Sequence, residues 1–456
     1  MKRSTLIAIL IAGAVARVMA LPLPGTRDVP DWKATSFVAS EDLLGIYGAG
    51  GSPPAERVLV WRDISIKTEY PPVSQLEMAF AGRLYRLIDP EFNDGPVLTT
   101  LIKAPGLAAE VVFVSILLTW GRRTFGAAAE WAAAAFWINP AIWLTGSALG
   151  YLDAQMAVPA TLALLAAAAD RPRLAGVLGA VAVLTKPQAV FILPVLGMTV
   201  LCRPGRSQPR AAASAVLAGL AVAVVVFLPF AAAGTWPSVL RAFQRFGEHD
   251  LVSGTATNLW WAVTWAAGSL ARLSELGWAD ALSRPATMVR ISTAVAAGLP
   301  NPRLIGTGLT AAALGWAVWR SRRGLTAERG ALVAAWSVLA YFTLSGQVHE
   351  NHSYLALPLL AFAAGAVPSL RPMYWLISAA YALNLYLFYG LGQTLPPVID
   401  RQWTFIDMSV LLAVGYCTLV VLLTVKVATA TRIDAPASPS DARDRVRTRP
   451  RTTITH

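Results

Sequence analysis

The sequence predicts an all-α polytopic membrane protein with about 12 transmembrane helices, or about 14 if one ambiguous region also crosses, and a long first outer loop containing short helices. Three observations predict it. Of 456 residues, 55% are hydrophobic and only 14% charged, where a soluble domain carries near a quarter charged. Apolar stretches recur along nearly the whole chain. The short segments between them alternate between arginine-rich ones and ones of mixed polar chemistry, as the positive-inside rule requires.

Composition also excludes classes. The net charge of +12 sits largely in short inter-helix segments and the C-terminal tail. That follows from membrane orientation and anionic lipid, so no nucleic-acid partner is implied. The two cysteines, Cys202 and Cys417, lie in or beside apolar segments and form neither a disulfide framework nor a metal spacing. Many of the 16 tryptophans lie near segment ends, which suits interfacial anchoring.

Met1-Lys2-Arg3 before Leu6–Ala20 resembles a signal peptide with Val18-Met19-Ala20 as its cleavage site. The favoured reading is an uncleaved first helix over 5–20, starting inside. The loop 21–100 then lies outside. Further spans are expected at 99–119, from 125 to Trp143, at 154–169, 174–185, 189–202 and 211–231. The region 258–302 either crosses twice or elaborates the outer face. Spans at 303–319, 329–346, 353–368, 372–390 and 408–428 complete the set. Residues 1–430 form one integral membrane unit. The tail 431–456, rich in Pro, Ser, Asp and Arg, is expected to be a disordered basic cytosolic segment. Both termini fall in the cytoplasm, and the membrane is expected to be the plasma (inner) membrane. No internal repeat is visible, unlike transporters built from duplicated halves.

The polar stretches of unusual chemistry all fall on the outer side: 21–100, 146–153, 186–188, 234–257, 347–352 and 392–407. A function executed at the outer, periplasmic or extracellular face is therefore expected. Asp28 and Asp31 follow the first helix. A partly desolvated carboxylate there suits a general base, although an ordinary loop acid is solvated. Glu69-Tyr70-Pro71-Pro72 leads into a short helix over Val73–Ala81, with the prolines setting its start. Asp153, with Gln155, caps a span or faces a substrate, and the two roles can coexist. Lys186-Pro187-Gln188 holds a cation at the outer boundary that either snorkels or meets a phosphate. His349-Glu350-Asn351-His352 is the densest polar cluster. Its histidines stand three apart, not at the zincin spacing, so phosphate contact by a protonated His349 with Glu350 orienting it is favoured over metal. Arg241, Arg245, His249 and Asn258-Leu259-Trp260-Trp261 add cations for phosphate and aromatic faces for sugar rings, or anchor the interface.

Taken in order, these elements resemble the GT-C superfamily of polytopic glycosyltransferases that use polyprenyl-phosphate sugars. Tyr70-Pro71-Pro72, Lys186-Pro187-Gln188 and His349-Glu350 are most similar to the lumenal dolichol-pathway glucosyltransferases and bacterial mannosyltransferase relatives. Lys103 with Pro105 at the next span, and Asp153 at another, also match. The resemblance covers about residues 1–430. It implies that Asp28, with Trp32 four residues on, is the catalytic base, with Asp31 in reserve. These acids are three apart and not a strict Asp-x-Asp pair. It implies an inverting displacement of a hexose, mannose or glucose, from a polyprenyl-phosphate donor to a lipid-linked or cell-envelope glycan acceptor. Lys186, His349 and Arg245 would stabilise the departing phosphate. Further substrate contacts are expected from Glu69, Tyr70, Lys103, Asp153, Gln155, Gln188, Asn258, Trp260, Glu350 and His352. No cofactor is implied and no divalent metal is supported by the sequence; membrane lipids are expected partners. The alternatives are a transporter or flippase of lipid-linked sugars, which would place its acids and lysines mid-span, and a non-enzymatic membrane assembly protein.

Overall fold

A computed structural model describes residues 1–49, 55–203, 206–245, 247–298 and 300–430; the expected tail at 431–456 lies outside the described residues. The fold is mostly helical. Among the described residues, strands are two or three residues long and form four two-stranded pairs.

Four helices are long and apolar enough to cross a membrane: Arg3–Ala20, Pro96–Phe125, Pro209–Ala232 and Met408–Thr429. The expected number was about 12. The difference is one of length and continuity. Pro172–Thr185 has 14 residues, roughly 21 Å of helix at 1.5 Å per residue, against a hydrocarbon core of about 30 Å. The apolar run after Ala127 breaks at Asn139-Pro140, where the Asn139 side chain caps a new turn that continues into the π-helical Leu144–Leu149. Three further helices, Pro302–Ser321, Ala327–Leu344 and Arg371–Tyr389, have the length but a less apolar composition.

The bundle has a clear inside. Asp153–Ala168 and Ala327–Leu344 are apolar on all sides and buried along nearly their whole length, as expected of helices surrounded by others. Pro209–Ala232 is the opposite case: only Ala215 and Phe230 are buried, with Val216, Leu220, Val224 and Leu228 exposed. The ambiguous region holds helices Leu259–Ala271, Leu273–Leu282 (kinked at Gly277) and Ile291–Ala296, none of spanning length. Its connections fold back by Val252 N–H donating to Val289 O and Ala286 N–H to Asp407 Oδ2.

The first loop is built, not slack. We label Arg3–Ala20 α1, Asp28–Glu41 α2, Pro72–Arg86 α3 and Pro96–Ile116 α4. Between α2 and α3 a hairpin pairs Leu59–Trp61 with Ile64–Ile66. The helix expected over Val73–Ala81 therefore runs five residues further. Gly82 lies inside it, where α2 crosses so closely that a Cβ would strike the Ser36 carbonyl. Val29, Trp32, Trp61, Met78, Tyr85, Phe92, Leu98 and Ile102 form a core that joins α2 and α3 to α4. At α2's start, Thr26 N–H donates to Leu149 O at 3.0 Å and Gln393 N–H to Gly25 O at 2.9 Å. Gly25 sits at φ +79°, and a Cβ there would come 2.8 Å from the Leu149 oxygen, so the turn requires glycine.

Candidate active site

A cavity of about 1240 Å³ opens where these pieces meet, and each of the six polar stretches contributes to its wall. Asp28 and Asp31 occupy the first turn of α2. Three residues apart, they share a helix face, and both line the cavity. Among the described residues, neither carboxylate has a hydrogen-bond or ion-pair partner. Asp28 is pushed up to about 7. Burial is the main cause, and the Glu350 charge adds to it while Lys186 pulls the other way. Asp31 is also raised, by burial. The dry side of this pocket includes Trp32 and Tyr70, packed edge to face at 4.5 Å.

Glu350 stands against the same cavity but is fully engaged. Tyr151 donates to its Oε1 at 2.5 Å and Thr255 to its Oε2 at 2.7 Å, while the Tyr389 hydroxyl lies 3.0 Å from Thr255 Oγ1. It is a fixed negative charge beside Asp28, not a free base. Thr255 and Gln347, both on the cavity wall, adopt positive φ (57° and 62°). A β-branched residue there is strained, and such strain gathers at functional sites.

Lys186 does find an acid: its Nζ lies 2.8 Å from Asp153 Oδ1, with both groups buried. Asn351 donates to the other oxygen of Asp153 at 2.8 Å. Lys186 and Asn351 line the cavity and Asp153 lies behind them. Glu69 pairs with His249 at 2.9 Å. That hydrogen bond holds His249 above the usual imidazole range against the effect of burial.

The three histidines divide their work. His352 has Tyr341 Oη 3.0 Å from Nδ1 and Gln188 Nε2 3.0 Å from Nε2, so both ring nitrogens are occupied. Burial holds it well below the usual range. His349 accepts from the His352 N–H through its ring. A neutral imidazole that accepts at one nitrogen carries its proton on the other. Burial lowers His349 despite the opposing pull of Glu350. The expected protonated histidine is thus, in this setting, a neutral N–H donor on the cavity wall, because the ring is largely shielded from water. The ring packs on Gly254, where a Cβ would come within 2.5 Å of Nδ1. Gly254→Ala is therefore expected to displace the imidazole and, because Ser253-Gly254 pairs with Val348-His349, to lower the unfolding temperature in detergent. An unchanged unfolding temperature in Gly254→Ala would show that the ring gives way freely.

Other residues expected at the site are occupied elsewhere. Lys103 donates to the carbonyls of Leu23, Ser147 and Ala148 at 2.6, 3.0 and 2.7 Å. Its three N–H bonds stitch α4 to the end of α1 and to the π-helical turn. Gln155 packs on Gly106. Arg245 donates to Thr68 O at 2.6 Å and pairs with Glu56 at 3.3 Å. Asn258 caps its helix through Trp261 N–H and donates to Phe342 O, and the Trp260 indole donates to Leu344 O. None of these five lines the cavity.

The wall also holds residues the sequence reading passed over. Arg27 is exposed to the cavity, and its guanidinium has no partner among the described residues. Its place beside Asp28 was the available signal. Tyr151, Thr255 and Tyr389 matter only through Glu350, and no local pattern marks them. Among the described residues, no three His, Cys, Asp or Glu side chains converge as metal ligands would.

Comparison with known proteins adds no constraint: no known-family model matches the chain, and no curated protein matches it.

Proposed function

We propose that this cavity is the active site of an inverting glycosyltransferase of the GT-C kind, taking a hexose from a polyprenyl-phosphate sugar at the outer face of the membrane. The observation that carries the reading is Asp28: an unpartnered carboxylate, raised to about 7, on a cavity that also presents Arg27, Lys186 and the His349 N–H. Asp28 removes the proton of an acceptor hydroxyl. The oxygen attacks the anomeric carbon, the carbon–oxygen bond to the carrier phosphate breaks, and the electron pair leaves on that phosphate. Phosphate departs readily, so positioning and charge stabilisation dominate. Arg27, with no partner among the described residues, is a cation available for this task. Lys186 is oriented by Asp153, and His349 supplies one neutral hydrogen bond.

A polytopic fold of about 12 crossings belongs to the same proposal. It requires interrupted pieces, such as the run from Ala127 to Leu149, to serve together as single spans. A donor anchored in the bilayer keeps its chain in lipid and its sugar in the cavity. The acceptor is a lipid-linked or envelope glycan.

One observation bears on the transporter reading. Arg17 and Glu110 pair at 2.6 Å with both side chains fully buried, inside two of the long apolar helices. Arg17 also donates to the carbonyls of Gly13 and Trp137, and neither residue lines the cavity. A closed pair of this kind supports a clamp between helices better than a translocation path.

The base sets a pH dependence. Since the proton must be absent from Asp28, kcat/KM is expected to rise about tenfold per pH unit below about 7 and to level off above it. A profile flat from pH 5 to 8 would count against Asp28. The reaction class is tested by incubating purified protein in proteoliposomes with a panel of radiolabelled polyprenyl-phosphate sugars and host lipids. A new glycosidic product supports the transferase; label that crosses the bilayer with its carrier unchanged supports the flippase.

A further inference from the structure

A second cavity, of about 400 Å³, lies between α3 and α4. Its walls come from one face of each helix: Leu76, Phe80 and Leu84 on α3, and Leu101, Ala104 and Ala108 on α4. These positions recur at three or four residues, the spacing of a helix stripe. The small side chains on α4 leave the room. A cavity of this size is within the range of small-molecule sites.

Two polar features interrupt the apolar lining. Glu77 lines the groove, and its Oε2 is shielded from solvent with no hydrogen-bond partner among the described residues. Burial pushes this carboxyl up to about 8, so at neutral pH it is mostly protonated and can donate. Pro105, inside α4, has no N–H. The Leu101 carbonyl one turn earlier therefore lacks its helical partner and can accept. Leaving such groups unpaired in an apolar setting is costly. A donor and an acceptor on one apolar groove are complementary to a hydroxyl, which accepts one bond and gives one.

The groove lies beside bare apolar surface. α4 begins one of the four long apolar helices. Next to the groove, Phe80 is 69% exposed, Leu87 83% and Val97 52%, a cluster of bare apolar side chains that marks an interaction surface. Helix α3 carries Arg83 and Arg86, and Arg86 bonds to Ser40 and Glu41 of α2. Arg86 thus turns toward α2, Met78 and Tyr85 pack into the core, and Leu76, Phe80 and Leu84 stay exposed.

We infer that the α3–α4 groove is a binding site for a lipid alcohol: a hydrocarbon chain lies along the groove, and its hydroxyl bonds to Glu77 and the Leu101 carbonyl. The site is separate from the larger cavity and does not depend on the transfer reaction proposed above. The test is photolabelling of the purified full chain in nanodiscs with diazirine-tagged hexadecanol, and with the same chain lacking the hydroxyl, followed by peptide mapping. With the alcohol, labelling of peptides spanning 73–84 and 101–108 is expected to exceed labelling of the lipid-facing 216–228 at least fivefold. The hydroxyl-free probe is expected to show no such preference. Glu77→Leu should remove the preference, and Ala104→Trp should remove it by filling the groove. If Ala104→Trp disturbs folding, Glu77→Leu and the probe comparison decide on their own. Equal labelling of both faces, indifference to the hydroxyl, or preference kept in Glu77→Leu would each overturn the inference.

Discussion

Asp28→Asn is expected to lower sugar transfer by about 10²–10⁴-fold, the usual worth of a positioned general base, without lowering the amount of protein in the membrane. The amide keeps the shape and removes the proton acceptor. Glu350 cannot take over, since Tyr151 and Thr255 already hold both its oxygens. Asp31→Asn is expected to have a far smaller effect, because Asp31 lacks the neighbouring charges that raise Asp28. Stability should move the other way. An acid with a folded pKa of about 7 against 3.8 when unfolded binds more protons in the folded state between those values. Stability is therefore present at low pH and is lost as pH rises through that window. Asp28→Asn should accordingly raise the unfolding temperature at pH 8 and leave it unchanged at pH 4. A variant that loses activity and gains stability is the signature of a group held for chemistry at the expense of the fold. Loss of both would point to a structural role.

Asp153→Ala is expected to be the most destabilising single change near the site, by about 3–5 kcal/mol. It leaves Lys186 buried without its counter-charge and Asn351 without its acceptor. Replacing both partners, Asp153→Ala with Lys186→Met, should restore much of the loss, because no unpaired charge remains. Thermal unfolding in detergent measures this directly. Activity separates the two roles of Lys186: the double variant should fold and still transfer poorly, because the oriented cation facing the cavity is gone. If the double variant is no more stable than Asp153→Ala, the pair is not the source of the cost. If it transfers normally, Lys186 is a fold residue only.

Much of the site's placement was legible in the sequence, for a physical reason. Polar residues are costly in lipid, so acids, cations and imidazoles between apolar runs stand out, and here six such stretches share one cavity. Asp28, Asp31, Lys186 and His349 stood out on that ground, while the preference for Asp28 over Asp31 came from the family resemblance. What could not be read was partnership. Lys103 has the look of a substrate cation, yet its three acceptors lie 80, 44 and 45 residues away. Asn258 and Trp260 bond to carbonyls 84 residues on. The double hold on Glu350 joins residues 151, 255 and 350 with Tyr389 beside Thr255, and no periodic pattern announces it. The expected count of about 12 spans goes beyond the four helices long and apolar enough to cross, for a related reason. Hydropathy sees apolar runs, but breaks such as Asn139-Pro140 and the short helix before Lys186 depend on how neighbouring segments pack.

The most direct test of the proposed transfer is single-turnover reaction of a radiolabelled polyprenyl-phosphate hexose with the purified protein in nanodiscs, wild type beside Asp28→Asn. Label is expected on the acceptor with stoichiometric release of polyprenyl phosphate in the wild type, and neither in the variant. Transfer at the wild-type rate in Asp28→Asn, or carrier release without a glycosylated product, would contradict the proposal.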